Sequence, residues 1–209
     1  MTEYEEKIKK NIMINISDIN GIKILELGVK EGVSTKNFLE ICKKNNGSLY
    51  SVDIEDCSNV SNDPHWKFIQ SRDDNFEFIK KNIANKLDVI YIDSLHEADH
   101  VERLIYNYYE ILNKNGYIFI DDINHLPYIK KEKRNNFYCE INNKETHDRI
   151  FDIYSNNTDN FDLNFSYMSS GTATIFKKTD KNLNKRKKII TRTRSIKNIV
   201  RLLYKKISK

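Results

Sequence analysis

The sequence predicts an α/β protein with a doubly wound, mostly parallel sheet, and three observations lead to that prediction. Short apolar runs of strand length alternate with stretches of helical period between residues 20 and 122. The apolar runs are continuous, as expected of parallel strands that are covered by helices on both faces. Two later apolar runs, separated by Ser-Ser-Gly, predict an antiparallel hairpin that closes a seven-stranded sheet.

The elements follow in order along the chain. Five strands are predicted at Ile22 to Leu27, Ser48 to Asp53, Trp66 to Gln70, Leu87 to Asp93 and Gly116 to Asp121, and the hairpin strands at Phe161 to Met168 and Thr172 to Lys177. Helices are predicted at Glu3 to Met13, Ser34 to Lys44, Asp73 to Asn85, Ala98 to Lys114 and Glu145 to Tyr154. We therefore expect an N-terminal helical segment (1–19), one central domain (20–178) and a tail (179–209).

Two segments support this division in different ways. In the helix predicted from Ala98 the apolar side chains fall on one face, as in a helix packed on a sheet; they are Val101, Leu104, Ile105, Tyr108 and Leu112. Residues 123–144 are irregular, contain Pro127 and a basic run from Lys130 to Arg134, and are predicted to form a lid or substrate loop.

Composition and charge exclude several classes of protein. Hydrophobic residues make up 39% of the chain, enough for a core, and no apolar run approaches the ~18 residues that span a bilayer. We expect neither a signal peptide nor a membrane span, and a cytoplasmic location. Three cysteines without paired spacing argue against disulfides or a zinc site. Residues 177–209 hold 14 Lys and Arg against one acidic residue, whereas residues 1–176 hold 21 against 29.

Polar residues follow the predicted strands where a parallel sheet binds ligands, at its carboxyl edge. These residues are Glu26 and Gly28, Asp53, Ser71 and Arg72, Asp93, and Asp121 with Asp122. Aspartate is also common at strand ends and helix caps, which accounts for any one of these positions better than for all of them together.

The turn after the first strand is the most specific of these sites. Gly28 and Gly32 stand four apart and Ser34 can open the next helix, an arrangement that suits a nucleotide-like cofactor or an anionic carboxylate. A dinucleotide site would require glycine two and five positions after Gly28, where the chain has Lys30 and Val33. A nicotinamide enzyme is therefore the less favoured alternative.

The order of parts resembles class I S-adenosylmethionine-dependent methyltransferases, which have a Rossmann-like fold, over residues 20–178. The catechol-type and the sugar and antibiotic O-methyltransferases are the most similar subgroups. The motifs that carry the resemblance are Leu-Glu-Leu-Gly-Val-Lys-Glu-Gly-Val-Ser from Leu25, Leu-Tyr-Ser-Val-Asp from Leu49, Val-Ile-Tyr-Ile-Asp-Ser-Leu-His from Val89, and Asn-Gly-Tyr-Ile-Phe-Ile-Asp-Asp from Asn115. Many members of the class have glycine where Lys30 stands, but the catechol-type subgroup tolerates a side chain there.

The resemblance implies a binding site for S-adenosylmethionine. Gly28 and Gly32, after Glu26, would let the backbone approach the methionine part, and Ser34 would take its carboxylate. Asp53 would accept hydrogen bonds from the ribose hydroxyls, and Ile54 would stack on the adenine. Ser71 and Arg72 lie where the class often contacts the adenine edge.

The resemblance also implies a metal and a base. Asp93, Asp121 and Asp122 match the ligands of a divalent metal, for which Mg²⁺ is expected, so that chelation would stop methyl transfer; alternatively, Asp122 only caps the next segment. His96 stands three residues after Asp93, where catechol-type enzymes carry a lysine base, and it would take the hydroxyl proton, orient the loop or bind substrate. His100 is expected to be solvent-facing or capping, and His125 and Tyr128 are placed to meet substrate.

The tail predicts a basic amphipathic helix. Ile196, Ile199, Val200, Leu203 and Ile207 recur at helical spacing, and lysines and arginines cover the other sides. An anionic membrane surface, such as the inner membrane, or an acidic protein partner would suit residues 180–209. Nucleic acid is the least supported partner because Tyr204 is the only aromatic residue there.

The acceptor is less determined than the cofactor. Ile-Asp-x-x-His resembles the sugar branch, so a sugar or glycan-precursor hydroxyl is favoured, with a catechol or a natural-product alcohol as alternatives. An inactive methyltransferase-like scaffold that acts as a docking module is the second hypothesis.

Overall fold

A seven-stranded sheet forms the centre of the computed structural model, which describes residues 2–126, 137–190 and 195–207. The strands are β1 (Lys23–Leu27), β2 (Ser48–Asp53), β3 (Trp66–Gln70), β4 (Leu87–Ile92), β5 (Leu112–Asp121), β6 (Phe161–Ser166) and β7 (Thr172–Lys177). Their order across the sheet is β3-β2-β1-β4-β5-β7-β6. The first five pair in parallel, and β7 pairs antiparallel with both β5 and β6. This confirms the predicted α/β class.

The helices cover the sheet. They are α1 (Glu3–Ile8), α2 (Ile14–Ile16), α3 (Val33–Lys44), α4 (Phe76–Asn82), α5 (Ala98–Tyr109), α6 (Phe137–Ser155) and α7 (Ile196–Ile207). A π-helical turn, Lys9–Met13, joins α1 to α2, and a 3₁₀ turn spans Ser58–Val60. Of the described helices, none is long and apolar enough to cross a membrane.

The core consists of two apolar clusters, because neighbouring residues of a strand point to opposite faces of the sheet. Ile24 packs with Phe38 of α3 and with the N-terminal helices, which bury Ile8, Ile12 and Ile16. Leu25, the next residue of β1, packs in the other cluster; α4, α5 and α6 supply Ile79, Val101, Leu104, Ile105, Tyr108, Tyr109, Ile150 and Ile153 to it. The N-terminal segment is thus anchored in the core.

Several predicted helix boundaries are wrong. The helix predicted from Glu145 begins at Phe137, so residues 137–144 of the predicted lid or substrate loop are helical. The helix predicted from Asp73 to Asn85 is shorter and spans Phe76–Asn82.

A further error concerns the end of α5. The helix from Ala98 ends at Tyr109 and not at Lys114, and β5 already begins at Leu112. Leu112 is therefore buried in the sheet and not on the face of a helix. The reason is an irregular first part of β5: the register with β4 shifts between Leu87 and Val89, and Asn115 has a φ of 65°. Such turn-like residues make the beginning of β5 difficult to recognise in the sequence.

The stretch that follows β7 contacts the central domain before the tail helix begins. The backbone N–H of Asn184 donates to Asn157 Oδ1 (2.7 Å), and Arg186 Nε donates to Glu102 Oε1 (2.8 Å). The apolar side chains of α7, in contrast, are between 50% and 84% exposed; they are Ile196, Ile199, Val200, Leu202, Leu203, Tyr204 and Ile207. Pro127, Tyr128 and the basic run of the predicted lid lie outside the described residues.

Candidate active site

Two adjoining cavities open at the carboxyl ends of the parallel strands. The first, of about 410 Å³, lies over β1, β2 and the loops that follow β3 and β4. The second, of about 580 Å³, lies over β1, β4 and β5 and includes Tyr4 of α1. They share Gly28, Val29, Lys30, Asp93 and Ser94. The strand order reverses between β1 and β4, so this is where the topology predicts a ligand site.

The two glycines of the first turn are required by packing. Gly28 has a φ of 101°, and a Cβ there would stand 2.1 Å from the carbonyl oxygen of Asp93. Gly32 has a φ of 73°, and a Cβ would stand 2.2 Å from a methyl carbon of Val60. Lys30 has a φ of 50°, the left-handed conformation for which glycine is the usual residue. The loop is therefore held close to β4 at the junction of the two cavities.

Asp53 fixes this loop from the end of β2. Its Oδ2 accepts hydrogen bonds from the backbone N–H groups of Val29 (2.8 Å) and Lys30 (3.1 Å), and its Oδ1 accepts one from Glu55 (3.0 Å). Partial burial would raise the pKa of Asp53, but these hydrogen bonds outweigh it and lower the pKa. Ile54, which also lines the first cavity, is 63% exposed. A charged acceptor and an apolar surface therefore stand side by side.

The end of β3 contributes to the same cavity. Ser71 and Arg72 both line it, and the Arg72 guanidinium donates two hydrogen bonds of 2.9 Å to Asp74. The neighbouring Asp73 accepts hydrogen bonds from Ser94 and from His100 Nε2, the latter at 2.8 Å. His100 is buried, so the expectation that it faces solvent or only caps a helix is wrong: α5 turns it inward to hold Asp73.

Glu26 lies under the loop and not in the cavities. It is fully buried and accepts hydrogen bonds from the hydroxyls of Ser34, Thr35 and Ser51. Burial raises its pKa to about 7, although the three hydroxyls oppose that shift. Glu26, which the resemblance places among the cofactor-binding residues, joins β1 and β2 to the beginning of α3. Ser34 does line the second cavity, with its hydroxyl proton engaged by Glu26.

The acids at the ends of β4 and β5 have partners that the sequence did not indicate. Lys7 of α1 is completely buried and donates to both oxygens of Asp121 and to Ser170 Oγ. Tyr4, three residues earlier, donates to Asp93 Oδ2 (2.6 Å). The regular apolar spacing of Ile8, Ile12 and Ile16 is the one sequence signal that this helix packs inward.

Asp93 lines both cavities. Its pKa is raised to about 7, first by burial and then by the negative charge of Asp121. The hydroxyl of Tyr91 lies between the two acids, 3.1 Å from Asp93 Oδ2 and 3.0 Å from Asp121 Oδ2.

His96 lines the second cavity. Its Nε2 lies 3.3 Å from Asp122 Oδ2 and 3.6 Å from Asp93 Oδ1. Asp122 has a φ of 56°, which turns the chain sharply at the end of β5. His125, in contrast, packs against His147, with 4.4 Å between the centroids of the tilted rings, and lines neither of these two cavities.

The three predicted metal ligands do not form the tightest group of acids. In the described part of the chain, the group of three residues whose ligand atoms all lie within 4.8 Å of one another is Asp73, Asp74 and His100. These side chains already have partners: Asp73 is hydrogen-bonded to His100, and Asp74 accepts from Arg72.

Comparisons with known proteins agree with this fold. The family described as a methyltransferase domain matches residues 25–123. No curated protein matches the sequence. Among solved structures, MycE methyltransferase from the mycinamycin biosynthetic pathway, in complex with Mg and SAH, has a TM-score of 0.62 at 18% identity, over 83% of this chain and 50% of MycE. The chain thus spans about half the length of MycE.

Two further structures match over similar shares of both chains. A putative caffeoyl-CoA O-methyltransferase from Staphylococcus aureus has a TM-score of 0.61 at 17% identity, over 85% of this chain and 84% of that one. The SAH-bound methyltransferase PaMTH1 of Podospora anserina has a TM-score of 0.58 at 15% identity, over 75% and 72%. Residues 25–123 thus match a methyltransferase domain and the chain has the fold of class I methyltransferases, in agreement with the resemblance carried by its motifs.

Proposed function

We propose that this protein transfers the methyl group of S-adenosylmethionine to a hydroxyl of a small molecule. The observation that carries the proposal is the pair of cavities that meet at Gly28 and Asp93. One contains a charged acceptor and an apolar surface suited to a nucleoside. The other contains a histidine beside carboxylates, suited to a hydroxyl that must lose a proton.

The residues of the first cavity fit the cofactor. Asp53 Oδ1 accepts one hydrogen bond, from Glu55, so a lone pair remains for a ribose hydroxyl. Ile54 offers the apolar surface on which an adenine would lie. Ser34 stands in the first turn of α3, where free backbone N–H groups would receive the carboxylate of the methionine part. The cavity volume falls within the range of small-molecule sites.

Calorimetric titration with S-adenosylhomocysteine tests the first half of the proposal. We expect saturable one-to-one binding by the wild type and a loss of about 100-fold in affinity in Asp53→Ala, because a charged acceptor and two loop hydrogen bonds disappear. Asp56→Ala is the matched control, since Asp56 also accepts a backbone N–H in this region but lines neither cavity. Equal affinities of the two variants would contradict the role of Asp53, and no binding by the wild type would favour the inactive scaffold.

The residues of the second cavity would prepare the acceptor. Bound S-adenosylmethionine would supply an electrophilic methyl group. With Nε2 of His96 beside Asp122, the other ring nitrogen would take the hydroxyl proton, and the neighbouring carboxylates would stabilise the imidazolium that forms. Holding the oxygen in line with the methyl carbon contributes most of the rate. A sugar hydroxyl is the favoured acceptor, with a catechol or natural-product alcohol as alternatives.

Divalent-metal assistance is the part of the predicted mechanism that these side chains fit least. Asp93, Asp121 and Asp122 would have to supply oxygen ligands. Both oxygens of Asp121 accept hydrogen bonds from Lys7, so they are not available to a metal in this arrangement. We therefore derive no step of the transfer through a metal.

A second proposal concerns α7, which we propose docks on an anionic membrane surface. Its exposed apolar side chains and its basic charge are what such a surface recognises.

Sedimentation with vesicles tests this second proposal. We expect the wild type to sediment with anionic vesicles and not with neutral ones. Removal of residues 195–209, or Ile199→Gln with Leu203→Gln, should abolish sedimentation without disturbing the docked stretch around Arg186. Unchanged sedimentation of the double variant would exclude the membrane, and binding to an acidic protein would then be the alternative.

A further inference from the structure

The geometry points to Lys7 as the built-in cation of the acid cluster: its ammonium takes the place of a divalent metal, so the chain keeps the acids of a metal site without binding a metal ion. Lys7 acts through Asp121 and is a positioning residue. The consequence for methyl transfer rests on the proposed function, whereas the absence of metal binding does not.

The contacts of Lys7 account for all of its donors. An ammonium has three protons, and here they go to Oδ1 and Oδ2 of Asp121 and to Ser170 Oγ. Ser170 Oγ itself lies 3.0 Å from Asp121 Oδ1. The side chains of Lys7 and Asp121 are 0% and 1% exposed, so no water competes for this pair. A metal ion would have to displace a completely buried ammonium to reach Asp121.

The second acid is covered from the same helix. Tyr4 Oη donates to Asp93 Oδ2, and the Lys7 ammonium lies 4.5 Å from the centroid of the Tyr4 ring. One helical face thus neutralises Asp121 and caps Asp93. Thr2 and Glu5 form a reciprocal capping box at the beginning of α1, and Ile8 is completely buried at its end. Helix α1 is therefore stabilised at its beginning and anchored in the core at its end, and this holds the Lys7 ammonium in position.

The charge balance explains why such a cation is needed. Asp93, Asp121 and Asp122 converge at one edge of the sheet, and carboxylates this close are unfavourable without positive charge. The Lys7 ammonium lies on the buried side, beside Asp121, whereas His96 lies on the cavity side, next to Asp122 and Asp93. Lys7 thus supplies the positive charge that a metal would bring to these acids, and the transfer should proceed in the presence of a chelator.

Binding of Mn²⁺ tests this inference without any methyl transfer. We expect no saturable binding by the wild type up to about 1 mM, the weak end of protein cation sites. Lys7→Met should gain a site, because Asp121 then lacks a cation, and Mn²⁺ should raise the melting temperature of that variant. The double variant Lys7→Met with Asp121→Asn should lose the site again. Lys10→Met, a change at an exposed lysine of the following turn, should behave as the wild type.

Two results would overturn the inference. One is saturable Mn²⁺ binding by the wild type that Asp121→Asn abolishes, and this result is decisive even if Lys7→Met does not fold. The other is a folded Lys7→Met that gains no Mn²⁺. Titration of the same samples with S-adenosylhomocysteine separates the two claims: a wild type that binds neither ligand removes the proposed function and leaves the assignment of Lys7 intact.

Discussion

Replacing Gly28 by alanine should lower the free energy of unfolding by about 3 kcal/mol or more. The new Cβ would stand 2.1 Å from the carbonyl oxygen of Asp93, a backbone atom that cannot move without disturbing the end of β4. The φ of 101° adds strain that a side chain cannot relieve in place. Urea unfolding measures the loss, and S-adenosylhomocysteine affinity should fall as well, because the junction of the two cavities must shift.

Gly21→Ala is the matched control for this prediction. Gly21 also has a positive φ, 66°, but a Cβ there meets no atom within 4 Å. The control therefore carries conformational strain without a collision and should cost about 1 kcal/mol, with cofactor affinity unchanged. Similar losses of unfolding free energy in the two variants would mean that a side chain at position 28 meets no obstacle at β4. The described junction of the two cavities would then be incorrect.

Replacing His96 by glutamine should reduce the rate of methyl transfer by about 10²- to 10⁴-fold, the usual contribution of a general base. Affinity for S-adenosylhomocysteine should stay within about twofold, because His96 lines the second cavity and not the first. The measurement is transfer of a labelled methyl group to an acceptor found by screening sugars, catechols and alcohols, with cofactor affinity determined by calorimetry on the same variant.

His100→Gln is the control variant for His96→Gln, because His100 shapes the site without acting as the base. His100 lines the first cavity and holds Asp73, so its replacement should weaken cofactor binding and leave the rate at saturating cofactor nearly unchanged. The two variants thus have opposite expected effects. A His96→Gln variant that transfers methyl groups at the wild-type rate would assign His96 to loop orientation or substrate binding.

The local sequence pattern was sufficient to predict most strands of the sheet. Ser48–Asp53, Trp66–Gln70 and Thr172–Lys177 have the predicted bounds, since continuous apolar runs between polar residues define buried strands. The topology rule then placed Gly28, Asp53 and Asp93 along one cavity edge before any contact was known. The start of β5 was missed because its first residues are polar and turn-like.

The partners of the acids could not be predicted from local pattern. Lys7 and Asp121 are 114 residues apart, and a lysine in a charged N-terminal stretch is usually solvent-exposed. The inward face of α1 became evident only when the position of Ile8 on the sheet was known. His100 was misjudged for a similar reason, because its partner Asp73 lies at the end of a different strand.

A crystal structure of the protein with S-adenosylhomocysteine tests the central claim, that a methyl-donor cofactor binds at the carboxyl ends of β1, β2 and β4. We predict the ribose hydroxyls on Asp53, the adenine against Ile54 and the sulfur above Gly28, directed toward the cavity that contains His96. Cofactor bound elsewhere, or bound here without contact to Asp53, would contradict the account.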